Sequence, residues 1–242
     1  TDRVTIGGEY EIMKDTALSI DATWAETMHL ERLSDINLAY ARNADGTIKL
    51  SPINGQPMFL GTGTNQRPNS KYARITMYTS DGRSEYYGIS TVLQRRFTES
   101  LYGFLSVTYS KDKDNDSNER NYSGINAEDV YRFRKEEWGY SARDQRWKMA
   151  LNTVWNTPWW GLSVSGMYRY YTGQAYTATT SSDANKDGNY NDRPTINGKH
   201  FDRNTFRGPD YMALDLRVQK KLGLGPGNLA IIAECFNVFN NS

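Results

Sequence analysis

The feature that most constrains the fold of this sequence is a strict alternation of apolar and polar residues within eight separate stretches. In the first stretch, Arg3–Met13, Val4 and Ile6 share one face while Thr5 and Glu9 share the other. A period of two places successive side chains on opposite faces of an extended chain, so each stretch predicts a half-buried β-strand. The other seven stretches are Ala17–Met28, Ser84–Gln94, Leu101–Lys111, Arg143–Asn156, Leu162–Thr172, Tyr211–Lys221 and Leu229–Phe236.

The connections between these stretches alternate regularly between short turns and long polar loops. The short turns lie at Lys14–Thr16, Thr98–Ser100, Thr157–Trp160 and Gly223–Gly227, and the long loops at His29–Arg83, Asp112–Ala142 and Gly173–Gly208. Within the first long loop, Ala73–Thr79 predicts a short extra strand. Soluble β-sandwiches have shorter strands and no such difference between their two ends. The pattern therefore predicts an all-β fold, a transmembrane antiparallel β-barrel with long extracellular loops and short periplasmic turns.

The two faces of the predicted strands differ in charge. The apolar face of nearly every strand is free of charge, which fits contact with outer-membrane lipid. A polar interior suits a lumen better than a dry core, where an unpaired charge is costly. A soluble β-protein with a charged solvent face is the alternative, but it leaves the alternation of connections unexplained. The charged residues on the polar face are Glu9, Glu11, Asp21, Arg96, Arg146, Lys148, Arg169, Asp215, Arg217 and Glu234.

Aromatic residues, which make up 13% of the chain, concentrate at the two ends of the apolar face. Two belts of Trp and Tyr are typical of a membrane protein, because each ring has an apolar body and a polar tip. A sandwich core would instead place these rings near the middle of the strands. The predicted long-loop belt contains Trp24, Tyr87, Tyr109, Trp147, Tyr168 and Tyr170, and the short-turn belt Phe97, Trp155, Trp159 and Trp160.

Composition excludes several classes of function. The formal net charge of +1 gives no electrostatic reason to expect nucleic acid as a partner. Cys235 is the single cysteine, and His29 and His200 lie far apart in the sequence, so a zinc site of the His/Cys type is not expected. No nucleophile, base and orienting group come together, so no enzymatic activity is predicted.

The segment Asp183–Pro194 is the most distinctive loop sequence. Asp183, Asn185 and Asp187, followed by Gly188, match the first half of a calcium loop of the EF-hand type. Position twelve is Pro194 where a bidentate Glu is required, and no flanking helices are predicted. The alternatives are a calcium site and a solvated loop rich in turn-forming residues. The candidate ligands are Asp183, Asn185, Asp187, Asn189, Asn191 and Asp192; no other cofactor is expected. The run Asp112–Glu119 is predicted to be solvated.

If calcium orders the loop Gly173–Gly208, three aromatic side chains would come to the mouth of the barrel. Tyr176, Tyr190 and Phe206 are therefore candidate substrate-binding residues, because aromatic rings can stack on a solute such as a sugar.

Three stretches resemble the C-terminal half of a TonB-dependent outer-membrane transporter, most closely the Oar-like branch, near the SusC-like ones. The first stretch is Gln94–Phe97, which precedes a turn. The second is Asp187–Pro194, followed by Arg203-Asn204 and Arg207–Pro209. The third is Asp215–Arg217, which leads to Glu234–Asn240. The resemblance implies a plugged barrel of about 22 strands in the cell outer membrane. Residues 1–242 would then be one partial barrel domain of about eight strands, without the plug and the closing strand. A free-standing eight-stranded barrel is the structural alternative.

The resemblance also implies partners and a function. The partners would be outer-membrane lipid, the protein's own N-terminal plug domain and the TonB complex, and the SusC-like relatives allow for a surface lipoprotein. The expected function is energised transport of a bulky solute. The alternatives are a structural or surface-binding barrel in a larger assembly, without transport of its own, and a soluble binding module.

Overall fold

The structure is a computed structural model that describes residues 1–98, 100–116, 127–132 and 136–241, with the side chains of residues 96–98 also left out. Four parts of the predictions lie outside the described residues. These are the placement of Arg96 on the polar face, Phe97 in the short-turn belt, Glu99 in a turn, and Ser117–Glu119 in the solvated run.

The described residues form eight long strands, five short strands and a 3₁₀ helix. The long strands are β1 (Asp2–Met13), β2 (Thr16–Asp35), β3 (Thr76–Thr98), β4 (Leu101–Asp114), β6 (Trp147–Asn156), β7 (Leu162–Tyr171), β12 (Tyr211–Leu224) and β13 (Gly227–Cys235). The short strands are β5 (Gly139–Tyr140), β8 (Ala175–Tyr176), β9 (Thr195–Ile196), β10 (Lys199–His200) and β11 (Phe206–Arg207), and the 3₁₀ helix is Thr64–Gln66.

The eight long strands form one antiparallel sheet in the order β1-β2-β3-β4-β6-β7-β12-β13. Each long strand pairs with its sequence neighbours, and within the described residues β1 and β13 pair on one side only. The eight strands and their up-and-down order are those that the alternation predicted. This sheet is therefore the arrangement expected of part of a larger barrel.

The register of the sheet aligns apolar side chains into rows that cross several strands. One row contains Tyr10, Leu18, Leu93, Leu105, Leu151, Tyr168 and Leu214. The adjacent row on the other face contains Glu9, Ser19, Val92, Ser106, Ala150, Arg169 and Ala213. Apolar residues are widely exposed, as at Ile6 (73%) and Ile231 (55%), which is expected of a face that contacts lipid rather than water.

Two strands are much longer than the sequence suggested. β2 has 20 residues and β3 has 23, whereas about 9–11 residues are enough to cross a bilayer. The stretch His29–Arg83 was predicted to be irregular, yet β2 continues to Asp35 and β3 begins at Thr76, so Ala73–Thr79 is not a separate strand. The physical reason is a register shift between Met28 and Arg32, because a bulge interrupts the period of two that reveals a strand.

The predicted strand Arg143–Asn156 also starts later than expected, at Trp147. The Asp144 carboxylate accepts a hydrogen bond from the Asp112 amide (2.7 Å) and contacts Arg146 (2.9 Å). These bonds hold the chain in a turn, so Arg146 lies before the strand and not on its polar face. The long loop Gly173–Gly208 is likewise not wholly irregular, since it contains the short strands β8–β11.

Several predicted belt residues are paired across strands. Trp24 lies opposite Tyr87, and the rings of Tyr109 and Trp147 are 4.8 Å apart. At the short-turn end, the rings of Trp155 and Trp159 are 5.7 Å apart.

No helix within the described residues is long and apolar enough to span a membrane.

Candidate functional site

The long loops pack together at one end of the sheet into a unit that we call the loop cap (residues 36–75, 127–132, 136–141 and 173–208). Its apolar centre consists of Leu38, Phe59 and Val130, which pack against Leu33 from the end of β2. The ring of Tyr40 stacks on Phe59 at 4.9 Å. This cluster is the hydrophobic core of the described residues, so the packed interior lies in the loops rather than within the sheet.

A buried polar cluster lies beside this centre and is organised by Glu128. One carboxylate oxygen, Oε2, is 2.9 Å from Arg193 Nε and 2.9 Å from His200 Nε2. The other, Oε1, accepts hydrogen bonds from Asn54 Nδ2 (3.1 Å) and from the Arg193 amide (3.0 Å). Arg193 Nη1 also donates to Glu137 Oε2 at 2.9 Å. Three segments that are distant in sequence are therefore joined by charge-assisted hydrogen bonds.

Arginine side chains connect the loop cap to the strands. Arg203 donates to the Glu137 carbonyl (Nε–O 3.0 Å) and pairs with Asp114 at the end of β4. Arg207 pairs with Asp144 next to β6. Burial opposes ionisation of Asp144, but hydrogen bonds from the Asp112 amide, Arg146 and Arg207 outweigh it and lower the pKa of that carboxyl.

The segment Asp183–Pro194 lies within the loop cap and is largely buried. Asn185, Asp187 and Asp192 are 1%, 4% and 0% exposed, so these residues are not in the solvated loop that was one of the two alternatives. The physical reason is that other loops cover the segment and supply its hydrogen bonds. The Phe59 amide donates to the Asn185 carbonyl (2.7 Å), and Asn191 Nδ2 donates to the Ala127 carbonyl (2.9 Å).

Within this segment, carboxylates accept hydrogen bonds from nearby main-chain amides. The Ala184 amide donates to Asp192 Oδ2 (2.7 Å), and the Gly188 amide donates to Asp183 Oδ2 (3.0 Å). Asp187 accepts from the amide (2.7 Å) and the side chain (3.0 Å) of Asn189. The bond from the Asn189 amide to Asp187, and that from the Asp187 amide to Asn185 Oδ1 (2.9 Å), have the spacing of Asx turns, which Asp and Asn favour.

Burial disfavours the ionised form of two carboxyl groups in this segment, those of Asp187 and Asp192. Burial raises the pKa of Asp192 to about 7, and the negative charges of Glu128 and Asp187 add to this effect. Burial likewise raises the pKa of Asp187 to about 6, with the charge of Asp183 adding to it and the bonds from Asn189 opposing it. A positive ion near these groups would relieve both effects.

The six predicted metal ligands lie in one loop segment, but the structure does not place all of their carboxylates close to one another. Among the described residues, no group of three or more His, Cys, Asp or Glu side chains is placed to hold a metal ion. Asp183, Asp187 and Asp192 therefore do not converge as a set of three carboxylates. A cation in this segment would depend on neutral oxygens as well, which is common for calcium.

Two of the three predicted substrate-binding aromatics lie together. Tyr176 in β8 pairs directly with Phe206 in β11, and their rings stack at 5.8 Å with an angle of 29° between their planes. Phe201 extends this group, since its ring is 5.3 Å from that of Phe206. Tyr190 is 70% exposed and contacts no other ring within the described part of the chain.

The buried cluster around Glu128 was missed by sequence reasoning. Glu128, Glu137 and Asn54 lie in irregular loops, where no periodicity distinguishes a buried polar residue from an exposed one. One signal in the sequence could have indicated the cluster, namely Arg193 in the segment Asp183–Pro194. An arginine that is buried in such a segment needs an acidic partner.

Comparison with known proteins identifies the family. The model of the family described as "outer membrane beta barrel domain" matches residues 1–202. The chain belongs to this family. As an outer membrane barrel domain, it lies in the cell outer membrane, and the two faces of its sheet are those of a barrel wall. The matched region ends within the loop cap, although the sheet of the barrel domain continues to Cys235.

One solved structure similar to this barrel domain is the outer membrane transporter YddB from Escherichia coli. The TM-score is 0.59 with 13% sequence identity, and the match covers 98% of this chain and 28% of the transporter chain. At this identity the likeness concerns the fold. The barrel domain described by residues 1–242 thus spans less than a third of the length of that transporter. No curated protein sequence matches the chain.

Proposed function

We propose that this barrel domain is part of a TonB-dependent active transporter that moves a bulky solute, such as a siderophore, glycan, peptide or polypeptide. The observation that carries the proposal is the open sheet, in which β1 and β13 each have one unpaired edge among the described strands. A similar structure, of which the chain spans 28%, is a transporter. Barrels of about 22 strands have a lumen wide enough to need a plug.

The polar face of the sheet supports this proposal. Arg169 and Asp215 form an ion pair of 2.9 Å on that face, and Arg217 lies 3.4 Å from Glu234 on the neighbouring strand. Charged pairs of this kind fit a lumen that contains water or a plug domain, where a dry interior would penalise them.

The aromatic group of Tyr176 and Phe206 is the part of the loop cap that we assign to solute contact, together with Tyr190. Its rings are held on paired strands, which lowers the entropy cost of binding by stacking. As partners we propose outer-membrane lipid, a plug domain of the same protein and the TonB complex, with a surface lipoprotein above the loops.

The second candidate function is a structural or surface-binding barrel without transport of its own. It is favoured by one observation, the loop cap, whose buried polar groups pair with one another. Glu128, Arg193 and Glu137, for example, are all buried. A cap that is ordered by internal polar pairs suits a binding surface as well as a gate.

An electrical measurement on the full-length protein separates the two candidates. In planar bilayers, the full-length protein should be silent, and a variant from which the proposed plug domain has been deleted should conduct. The periplasmic domain of TonB should bind the full-length protein in a pull-down assay and not the deletion variant. Identical conductance of both proteins, without TonB binding, would instead support the structural barrel.

A further inference from the structure

Two carboxylate oxygens of the segment Asp183–Asp192 are buried and have no hydrogen-bond partner among the described residues. Asp192 is 0% exposed, and although its Oδ2 accepts from the Ala184 amide, its Oδ1 has no donor. Asp183 Oδ1 is in the same state, while its Oδ2 accepts from the Gly188 amide. A buried carboxylate oxygen without a hydrogen-bond donor from the protein is costly, so each of these atoms is suited to a positively charged ligand.

No basic side chain supplies this positive group in the described part of the chain. Arg193, the nearest in sequence, is engaged by Glu128 and Glu137, each at 2.9 Å. Lys186 is exposed to solvent. Asp183, Asp187 and Asp192 form no ion pair with any described residue, so no described side chain neutralises their charge.

The fold also accounts for the departure from the EF-hand pattern. The bidentate Glu expected at position twelve is replaced by Pro194, but the chain folds back so that Asp192 reaches the start of the loop at Ala184. Gly188 permits the turn, because its φ of +90° is a conformation that glycine adopts without strain. An added Cβ there would also lie 2.8 Å from Thr62 Cγ2.

We propose that the segment Asp183–Asp192 binds one calcium ion, with Asp183 Oδ1 and Asp192 Oδ1 as its two charged ligands. Neutral oxygens and water complete the shell, since the described residues offer no third acidic, His or Cys ligand at that point. Oxygen ligands select a hard cation, and irregular geometry favours calcium over magnesium. Two carboxylates give a weak site, with a Kd of about 10⁻⁴–10⁻³ M, as in extracellular calcium modules.

The ion would stabilise the loop cap as a whole. The segment contacts the first long loop through the Asn185 carbonyl and the Phe59 amide (2.7 Å), and the second through Asn191 and the Ala127 carbonyl (2.9 Å). A ligand that binds only the ordered segment stabilises everything that depends on that order. Calcium therefore links the three long loops, independently of what the barrel transports.

Calcium binding by the full-length protein in detergent tests the proposal. Equilibrium dialysis with ⁴⁵Ca²⁺ should give a saturable site that Asp192→Asn and Asp183→Asn each weaken at least tenfold. Asp202→Asn is the matched control, because Asp202 lies in the same loop but is exposed, and it should bind like the wild type. Calcium should also slow proteolysis within residues 173–208 in the wild type and in the control, but not in the two variants.

Three results would overturn the proposal. The first is calcium binding that is unchanged in both variants, which would place the ion elsewhere. The second is protease resistance of the wild-type loop that is the same with calcium and with a chelator, together with higher resistance in Asp192→Asn. That result would mean that Asp192 is a buried neutral acid and not a calcium ligand. The third is equal protection by magnesium at the same concentration, which would contradict the assignment to calcium.

Discussion

Arg193 is the residue on which the polar cluster of the loop cap depends most. Its side chain is 4% exposed and contacts two carboxylates, Glu128 and Glu137, that are 5% and 2% exposed. The side chain of His200 contacts the same Glu128 oxygen as Arg193 but is 23% exposed. Without the guanidinium, two buried negative charges would face each other with little compensation.

We expect Arg193→Met to destabilise the loop cap by about 3–5 kcal/mol, because it leaves buried charges unpaired. Hydrogen exchange of the cap amides in the full-length protein measures this loss. Arg132→Met is the control, since Arg132 is 44% exposed and pairs with Glu136, a contact worth less than about 1 kcal/mol. Equal effects of the two substitutions would show that the cluster around Glu128 does not hold the cap together.

The two faces of β6 can be distinguished at neighbouring residues. Leu151 lies in the apolar row between Leu105 and Tyr168, whereas Asn152 lies on the opposite face between Phe104 and Met167. Leu151→Arg should cost about 2–4 kcal/mol near the bilayer midplane, because the charge meets hydrocarbon. Asn152→Arg should cost clearly less. Denaturant unfolding of the full-length protein in lipid vesicles measures both, and equal costs would contradict the assignment of the lipid face.

At the scale of elements, the long hairpin of β2 and β3 determines where the loop cap sits. Beyond the register shift at Met28, β2 continues to Asp35, and its buried residues Leu33 and Asp35 belong to the cap rather than to the barrel wall. Asp35 accepts a hydrogen bond from the Asn37 amide (2.9 Å) and pairs with Arg67 (2.8 Å). The extension of β2 thus supplies contacts that hold the first long loop against the end of the sheet.

The turns and the loops should lie on opposite sides of the membrane. In a Cys235→Ser background, single cysteines at Tyr190 and Ile53, which are 70% and 56% exposed, should react with an impermeant thiol reagent in intact cells. Cysteines at Lys14 and Pro226, in exposed short turns, should react only after the outer membrane is permeabilised. Labelling of all four positions in intact cells would contradict the predicted topology.

At the scale of the whole molecule, the main structural fact is that β1 and β13 each have one edge that no described strand pairs with. An open edge in a membrane leaves backbone amides and carbonyls without partners, which is costly in hydrocarbon. Those edges must pair with further strands, or with each other, in the native membrane.

We expect residues 1–242, refolded alone into detergent, not to form a closed monomeric barrel, because β1 and β13 each have one unpaired edge among the described strands. The measurement is electrophoresis with and without boiling, since closed barrels resist the detergent until they are heated. The full-length protein, as the control, should show the heat-dependent shift. A shift by residues 1–242 as a monomer would favour the free-standing eight-stranded barrel.

The sequence by itself determined the main part of the barrel wall: which eight stretches are strands, which face most of their described residues take, and which connections are long. The physical reason is that lipid on one face and polar surroundings on the other impose a period of two, as at Leu105 and Ser106. Only the tertiary structure decided the loop cap. The bulge near His29 hid the ends of β2 and β3, and the burial of Glu128, Asn185 and Asp192 depends on contacts between distant loops that no local pattern encodes.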